Sequence, residues 1–249
     1  MRSLATYMKH LNKFYAFKEK ILDLKSSEFK VLGNIKFNNM NYPLFRIDIN
    51  SHIVSPSLCF SAGIHGEEPS GVSGILKWLH LNNISNEINY RLYPIVNPYG
   101  YNLFRRTNHN RVNLNREFKK SNPQREISLI KNDLKDKYFN VFISFHENSA
   151  KENEDFYIYS YPNKESIKLS RFLINKISKA IVIDKRKEID GHKASDGLIL
   201  DKMQESFEFY IGENNSKASL SVEIPSKLSI KNRTEIVKDI INLTESYVK

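Results

Sequence analysis

Three short apolar runs constrain this chain more than any other feature: SLCFSA at Ser57–Ala62, NVFISF at Asn140–Phe145 and SLSVEI at Ser219–Ile224. Each has the length of a strand and is stopped by Gly63, His146 or Pro225, the pattern of buried strands rather than of helices. Helical apolar spacing lies between and after them. Val72, Ile75, Leu76 and Leu79 share one face of a helix expected from Pro69 to Leu81, and Ile230, Ile236, Val237, Ile240, Ile241 and Leu243 do so over residues 229 to 247. Further helices are expected at 124 to 137 and 164 to 179, and further strands at Lys30–Lys36, Phe45–Asn50, Tyr90–Val96, Phe156–Tyr161 and Ala180–Asp184. Strands alternating with helices predict an α/β layer fold with a mixed, largely parallel central sheet. Ligands of such folds gather at the carboxyl ends of the strands. His65 follows one strand, His146 ends another, and Asn97 follows a third within the turn signature Asn97-Pro98-Tyr99-Gly100.

The 249 residues suffice for one sizeable core, and no repeat or Pro/Gly-rich linker divides them. The expectation is a single catalytic domain over 1–249, with an amphipathic N-terminal helix in residues 1–25 packed on it. No apolar run approaches the ~20 residues that span a bilayer, and the N-terminus lacks the pattern of a secretory signal. Cys59 is the only cysteine, which excludes an intrachain disulfide and a cysteine-based zinc site, and it reads as a buried structural thiol. A reducing cytoplasm is the expected compartment. The formal charge of +10 favours anionic ligands. The lysines are scattered, however, and no aromatic-basic signature of nucleic-acid binding is present. The sequence sets no oligomeric state.

His65-Gly66-Glu67-Glu68 lies in the loop after a strand. A histidine and a carboxylate three apart can reach one metal ion if the backbone turns sharply, which Gly66 permits. Imidazole plus carboxylate suits zinc, and a catalytic zinc keeps three protein ligands and one open position. His146 could supply the third ligand from a neighbouring strand end. An isolated HxxE is most often a surface pair, and a strand-end histidine is most often a core residue. Their shared loop-after-strand setting is what links them. Residues 105 to 118, RRTNHNRVNLNREF, hold four arginines and four asparagines. They are either an anchor for a carboxylate or a solvated basic loop. Glu223 alternates with Val222 and Ile224, and is either on a solvated face or aimed into a cleft.

In this order the pieces resemble the zinc carboxypeptidase (M14-like) family. The resemblance runs through His65-Gly66-Glu67-Glu68, Asn97-Pro98-Tyr99-Gly100-Tyr101, Arg106-Thr107-Asn108, Asn113-Leu114-Asn115-Arg116, FISFHENS around His146 and SVEIP around Glu223, about residues 57 to 225. It implies a single three-layer α/β/α sandwich and one Zn2+ held by His65, Glu68 and His146. It implies Glu223 as the general base and acid, and Arg106 as the group that stabilises the developing oxyanion. Asn115 and Arg116 become the pair that grips the substrate's terminal carboxylate. The implied activity is a metallocarboxypeptidase acting on a small peptide, such as a cell-wall fragment.

Asn113 stands where the family has an aspartate that holds a zinc-binding histidine, and NPYG replaces NPDG. The family's active-site tyrosine has no clear counterpart. Gly191-His192-Lys193-Ala194-Ser195-Asp196-Gly197 loosely resembles its surroundings and would put His192 there, against the plain reading of an exposed loop histidine; Tyr210 is the other candidate. His10, His52, His80 and His109 read as surface residues. The related succinylglutamate desuccinylase and aspartoacylase-type deacylases share the HGxE element, so a zinc amidohydrolase of N-acyl amino acids is the alternative function. A non-catalytic binding protein on a degenerate peptidase fold is the second, with Asn113 as its main support.

Overall fold

The computed structural model describes residue 19 and residues 28 to 249, apart from 52, 82–83, 149–154 and 201. The expected N-terminal helix, His10 and His52 therefore lie outside the described residues. β1 (Glu28–Phe37) and β2 (Met40–Ile49) form a hairpin closed by Asn38 and Asn39, both with positive φ. That is the turn whose twist matches paired strands, and asparagine tolerates it best after glycine. β3 (Ser57–Ala62), β4 (Asn89–Tyr93), β5 (Phe139–Glu147), β6 (Tyr157–Ser160), β7 (Glu188–Ile189), β8 (His192–Ser195), β9 (Leu198–Leu200) and β10 (Ser216–Ile224) complete one sheet. Its order is β1-β2-β4-β3-β5-β10-β6-β9-β8-β7. The strands β4, β3, β5 and β10 are parallel to one another, while antiparallel pairings join the flanks.

The two faces of the central strands differ in chemistry. Leu58, Phe60 and Ala62, then Val141, Ile143 and Phe145, then Leu220, Val222 and Ile224 all point to one side. There they meet α1 (Pro69–Leu81), α4 (Lys164–Ile177) and α6 (Ile230–Val248) through Trp78, Leu173, Val237 and Ile241. Each fully buried large apolar side chain contributes about 1.5–3 kcal/mol. The opposite face packs Cys59 and Phe142 under α3 (Arg125–Leu134) and α5 (Phe207–Asn214). Helices on both faces make the three layers expected from the sequence.

Toward the carboxyl ends this second face turns polar, with Ser61, Ser144, His146, Ser221 and Glu223. Ser61 and Ser221 both register against Ser144. Apolar packing thus ends where the site begins. At the far flank, Arg46, Asp48, Arg91, Tyr93 and Asp133 form a closed network. Arg46 Nε and Arg91 Nε donate to Asp48 at 2.7 and 2.9 Å, Tyr93 Oη donates to Asp133 at 2.7 Å, and Arg46 also bonds Asp133.

Two local expectations change. Asn97-Pro98-Tyr99-Gly100 is not a bare turn: Asn97 caps α2 (Pro98–Leu103), accepting from Gly100 N–H at 2.8 Å. Residues 180 to 184 make only the single bridge Phe156↔Ile183. Val182 is exposed there and has no sheet face to bury. Among the described residues no helix is long and apolar enough to cross a membrane.

Candidate metal centre and substrate cleft

The loop after β3 is shaped by two glycines with different tasks. Gly63 takes φ +62°, a left-handed conformation that side chains resist. Gly66 has no such torsion. A Cβ there would fall 2.0 Å from the Gly100 carbonyl carbon and 2.1 Å from Tyr101 N. The loop therefore lies directly on the α2 backbone, and Gly66 N–H donates to Arg105 O at 2.9 Å.

This packing presents His65 and Glu68 to His146 on β5. Glu68 Oε1 lies 2.8 Å from His65 Nδ1, and Oε2 lies 3.0 Å from His146 Nδ1. All three side chains are buried, and their ligand atoms fall within 4.8 Å of one another. The outer ring nitrogens are spoken for. His65 Nε2 meets Asn113 Oδ1 at 3.0 Å, and His146 Nε2 meets Ser144 Oγ at 3.1 Å, which in turn accepts from Ser61 Oγ.

Asn113 Oδ1 also accepts the Asn115 N–H, which fixes it as the oxygen. His65 Nε2 must then carry a proton, and its Nδ1 lone pair faces a carboxylate oxygen. Only a proton or another cation between them relieves that repulsion. Two imidazoles and one carboxylate around such a gap suit a zinc-type ion. Burial alone would lower the pKa of His146, but the Glu68 carboxylate overrides it and lifts the imidazole to about 9. Burial would likewise raise Glu68, and the two histidines hold it well below the usual carboxylate range instead.

A cleft of about 400 Å³ opens beside this group. Glu223, next to His146 in the β10–β5 register, lines it. Burial lifts the Glu223 carboxyl to about 8, with Glu68, Glu208 and Asp190 adding to the lift and His146 opposing it. Arg106, Asn115, Arg116 and His192 line the same cleft. Arg106 Nη1 donates to Glu68 Oε1 at 3.2 Å. Asn115 Oδ1 accepts from Phe207 N–H at 2.9 Å, and Arg116 Nη1 donates to Asn115 O at 2.7 Å. His192 sits on β8, with its ring edge-on to Tyr159 at 5.7 Å, rather than in a loop.

The chain resembles the metallo-carboxypeptidases as a fold. A candidate metallopeptidase from Shewanella amazonensis superposes with a TM-score of 0.82 over 96% of this chain and 93% of that one, at 22% identity. A second, from Shewanella baltica, gives 0.81 over 96% and 92% at 24% identity. A metallo-carboxypeptidase from Burkholderia cenocepacia gives 0.75 over 95% and 68% at 14% identity. The model of the succinylglutamate desuccinylase/aspartoacylase catalytic domain matches residues 54–166, which span His65, Glu68 and His146. No sequence of a curated protein matches the chain.

Within the metallo-carboxypeptidase fold, several expected residues fall elsewhere. Tyr210 packs on Phe118 and under Lys131, away from the cleft. Asn97 and Asn108 spend their amides on the chain itself: Asn97 on Gly100 and the Arg106 carbonyl, Asn108 on Glu126, Gln124 and the backbone of Asn110 and Val112. They build the loop that carries Arg106 and Asn113. His109 is partly buried rather than a freely exposed surface residue. Its ring lies among Phe37 and Tyr99, 3.9 Å from Glu126. The sequence reading also passed over Glu208, Asp190, Tyr157 and Tyr159, which line the cleft.

Proposed function

We propose that this chain is a zinc-dependent carboxypeptidase that hydrolyses the amide bond to the C-terminal residue of a small peptide. The observation that carries the reading is the placement of the His65–Glu68–His146 group, Glu223 and the Arg106, Asn115 and Arg116 donors around one cleft. When bound, the ion supplies Lewis-acid polarisation of the scissile carbonyl and a water of lowered pKa.

The chain's own residues do the rest. Glu223, with its carboxyl lifted toward neutrality by burial, is suited to take a proton from the attacking water and return it to the leaving amine. Arg106 is half exposed and bonds Glu68 through one nitrogen. Its other N–H groups are available to the oxyanion that develops on the carbonyl. Arg116 donates to the Asn115 carbonyl, and its second terminal nitrogen faces only the weak acceptor Met203 Sδ. A substrate carboxylate is a far stronger acceptor for that fork.

The test is hydrolysis of peptide pairs that differ only in a free or an amidated C-terminus, using zinc-loaded protein. Amidation should abolish turnover; equal rates on both would remove the carboxypeptidase reading. A second reading is release of an acyl group from an N-acyl amino acid. It is supported by the desuccinylase/aspartoacylase match over residues 54–166. Release of acetate or succinate without peptide turnover would favour it.

A further inference from the structure

A second cavity, of about 380 Å³, lies outside the metal cleft and shares no lining residue with it. Asn34 and Lys36 of β1, His109 and Asn110 of the loop after α2, and Gln124 and Arg125 at the start of α3 line it. Its volume falls within the roughly 300–1,000 Å³ of small-molecule sites. Lys36, His109 and Arg125 bring basic groups to the lining, and among the described residues no carboxylate lines it.

The polar groups of this cavity are held in place. Asn108 is 2% exposed, and its Nδ2 donates to Gln124 Oε1 at 3.0 Å. Asn110 Nδ2 donates to the same oxygen at 2.7 Å. Two donors on one atom fix it as the amide oxygen and turn Gln124 Nε2 away from them. Arg125 Nε donates to the Asn34 carbonyl at 3.0 Å, which steadies the guanidinium and leaves its two terminal nitrogens for a ligand. The His109 ring stands beside Phe37 and Tyr99, at 5.6 and 5.9 Å between ring centres. Its Nδ1 is buried and lies 3.9 Å from Glu126, itself fully buried. The ring lines the cavity with Nδ1 inaccessible, so the Nε2 edge is the one it presents. A protonated ring then pairs with Glu126 behind it and offers Nε2–H in front.

An ammonium, a guanidinium fork, an imidazole and an amide NH2 around one hollow match a phosphate group, which brings up to two charges and three acceptor oxygens. A monocarboxylate would leave one of the cations unmatched. We propose that this cavity binds a small phosphate monoester, its phosphate held by Lys36, Arg125, His109 and the Gln124 amide. The remaining volume receives a compact organic body. This site is independent of the carboxypeptidase reading.

The experiment is calorimetric titration of the full-length protein, with and without zinc, near neutral pH and at low salt, where exposed cations are least screened. The probes are inorganic phosphate and glycerol 3-phosphate. Both should bind saturably with a Kd of about 1 mM or tighter, glycerol 3-phosphate at least as tightly as phosphate. Lys36→Gln combined with Arg125→Gln should weaken binding at least about tenfold. Both side chains are exposed, so the variant should keep the wild-type Tm. In the wild type the His109 ring-proton resonances should shift with the same midpoint, a readout that needs no variant. Absence of saturable binding, binding that requires zinc, binding unchanged in the double variant, or a midpoint that His109 does not report overturns the proposal. Binding of phosphate without binding of glycerol 3-phosphate also overturns it, and marks an adventitious ion only.

Discussion

His65 Nε2 rests 3.0 Å from the side-chain oxygen of Asn113, an amide where a carboxylate would bind the ring more strongly. The amide accepts the hydrogen bond and so fixes the tautomer that leaves Nδ1 facing Glu68. It adds no negative charge to raise the basicity of the ring. Asn113→Asp should therefore tighten zinc binding, and Asn113→Ala should weaken it by about 10–100-fold. Competition against a chelator of known affinity measures both. Equal affinities in all three proteins would show that this contact does not tune the site.

Proton release should accompany metal binding. In the metal-free protein Glu68 outweighs burial and holds the proton on His146 up to about pH 9. An ion must displace that proton, because only the neutral ring is a ligand. Zinc affinity should thus rise by about tenfold per pH unit between pH 7 and 9 and flatten above it. Calorimetry in buffers of different ionisation enthalpy should report at least one proton released at pH 7.5. A pH-independent affinity across that range would contradict the assignment.

Glu223→Gln should lower hydrolysis by about 10²–10⁴-fold, the usual worth of a general base. It should leave zinc content unchanged, since Glu223 lies outside the His65–Glu68–His146 group. Metal analysis beside initial rates separates these effects. A variant that retains full rate would remove Glu223 from the chemistry.

Asp133→Asn should destabilise the far flank of the sheet. The Asp133 side chain is largely covered, at 7% exposed, and is bonded by Arg46 and Tyr93, with Arg91 3.6 Å away. Removing its charge leaves buried guanidinium groups without a full counterion, at a cost of about 3–5 kcal/mol. A fall in Tm of roughly 10 °C is expected. A change under 2 °C would mean that the network is dispensable.

Much of this architecture was legible because hydrophobic period and burial coincide. Val72, Ile75 and Leu79 bury the face that their spacing predicts, and Leu220, Val222 and Ile224 bury theirs. The region after Ile183 was harder to read. Asp190-Gly191 and Asp196-Gly197 are both hairpin dipeptides, and all four residues have positive φ. They turn β7 into β8 and β8 into β9, which brings His192 and Asp190 to the cleft. The turn signal was present, but strands of two to four residues carry too little periodicity to be seen. Glu208 was hidden for another reason: one acidic residue in a helix beginning FEFY has no local mark of burial, and only the sheet beneath α5 confers it.

Gly66→Ala tests whether the loop's seat on α2 creates the metal group. The added methyl would collide with the backbone at Gly100 and Tyr101, which no rotamer change can relieve. The loop must lift, lengthening the Gly66 N–H bond to Arg105 O and moving His65 and Glu68, its neighbours in sequence, away from His146. The hydrophobic core is untouched, so thermal stability should fall by only about 1–3 kcal/mol, the size of a local overpacking. Zinc affinity should fall far more, because the ligands of one ion tolerate displacements of only about 0.2 Å. Stoichiometric zinc with wild-type affinity in Gly66→Ala would show that the loop holds its shape without this contact.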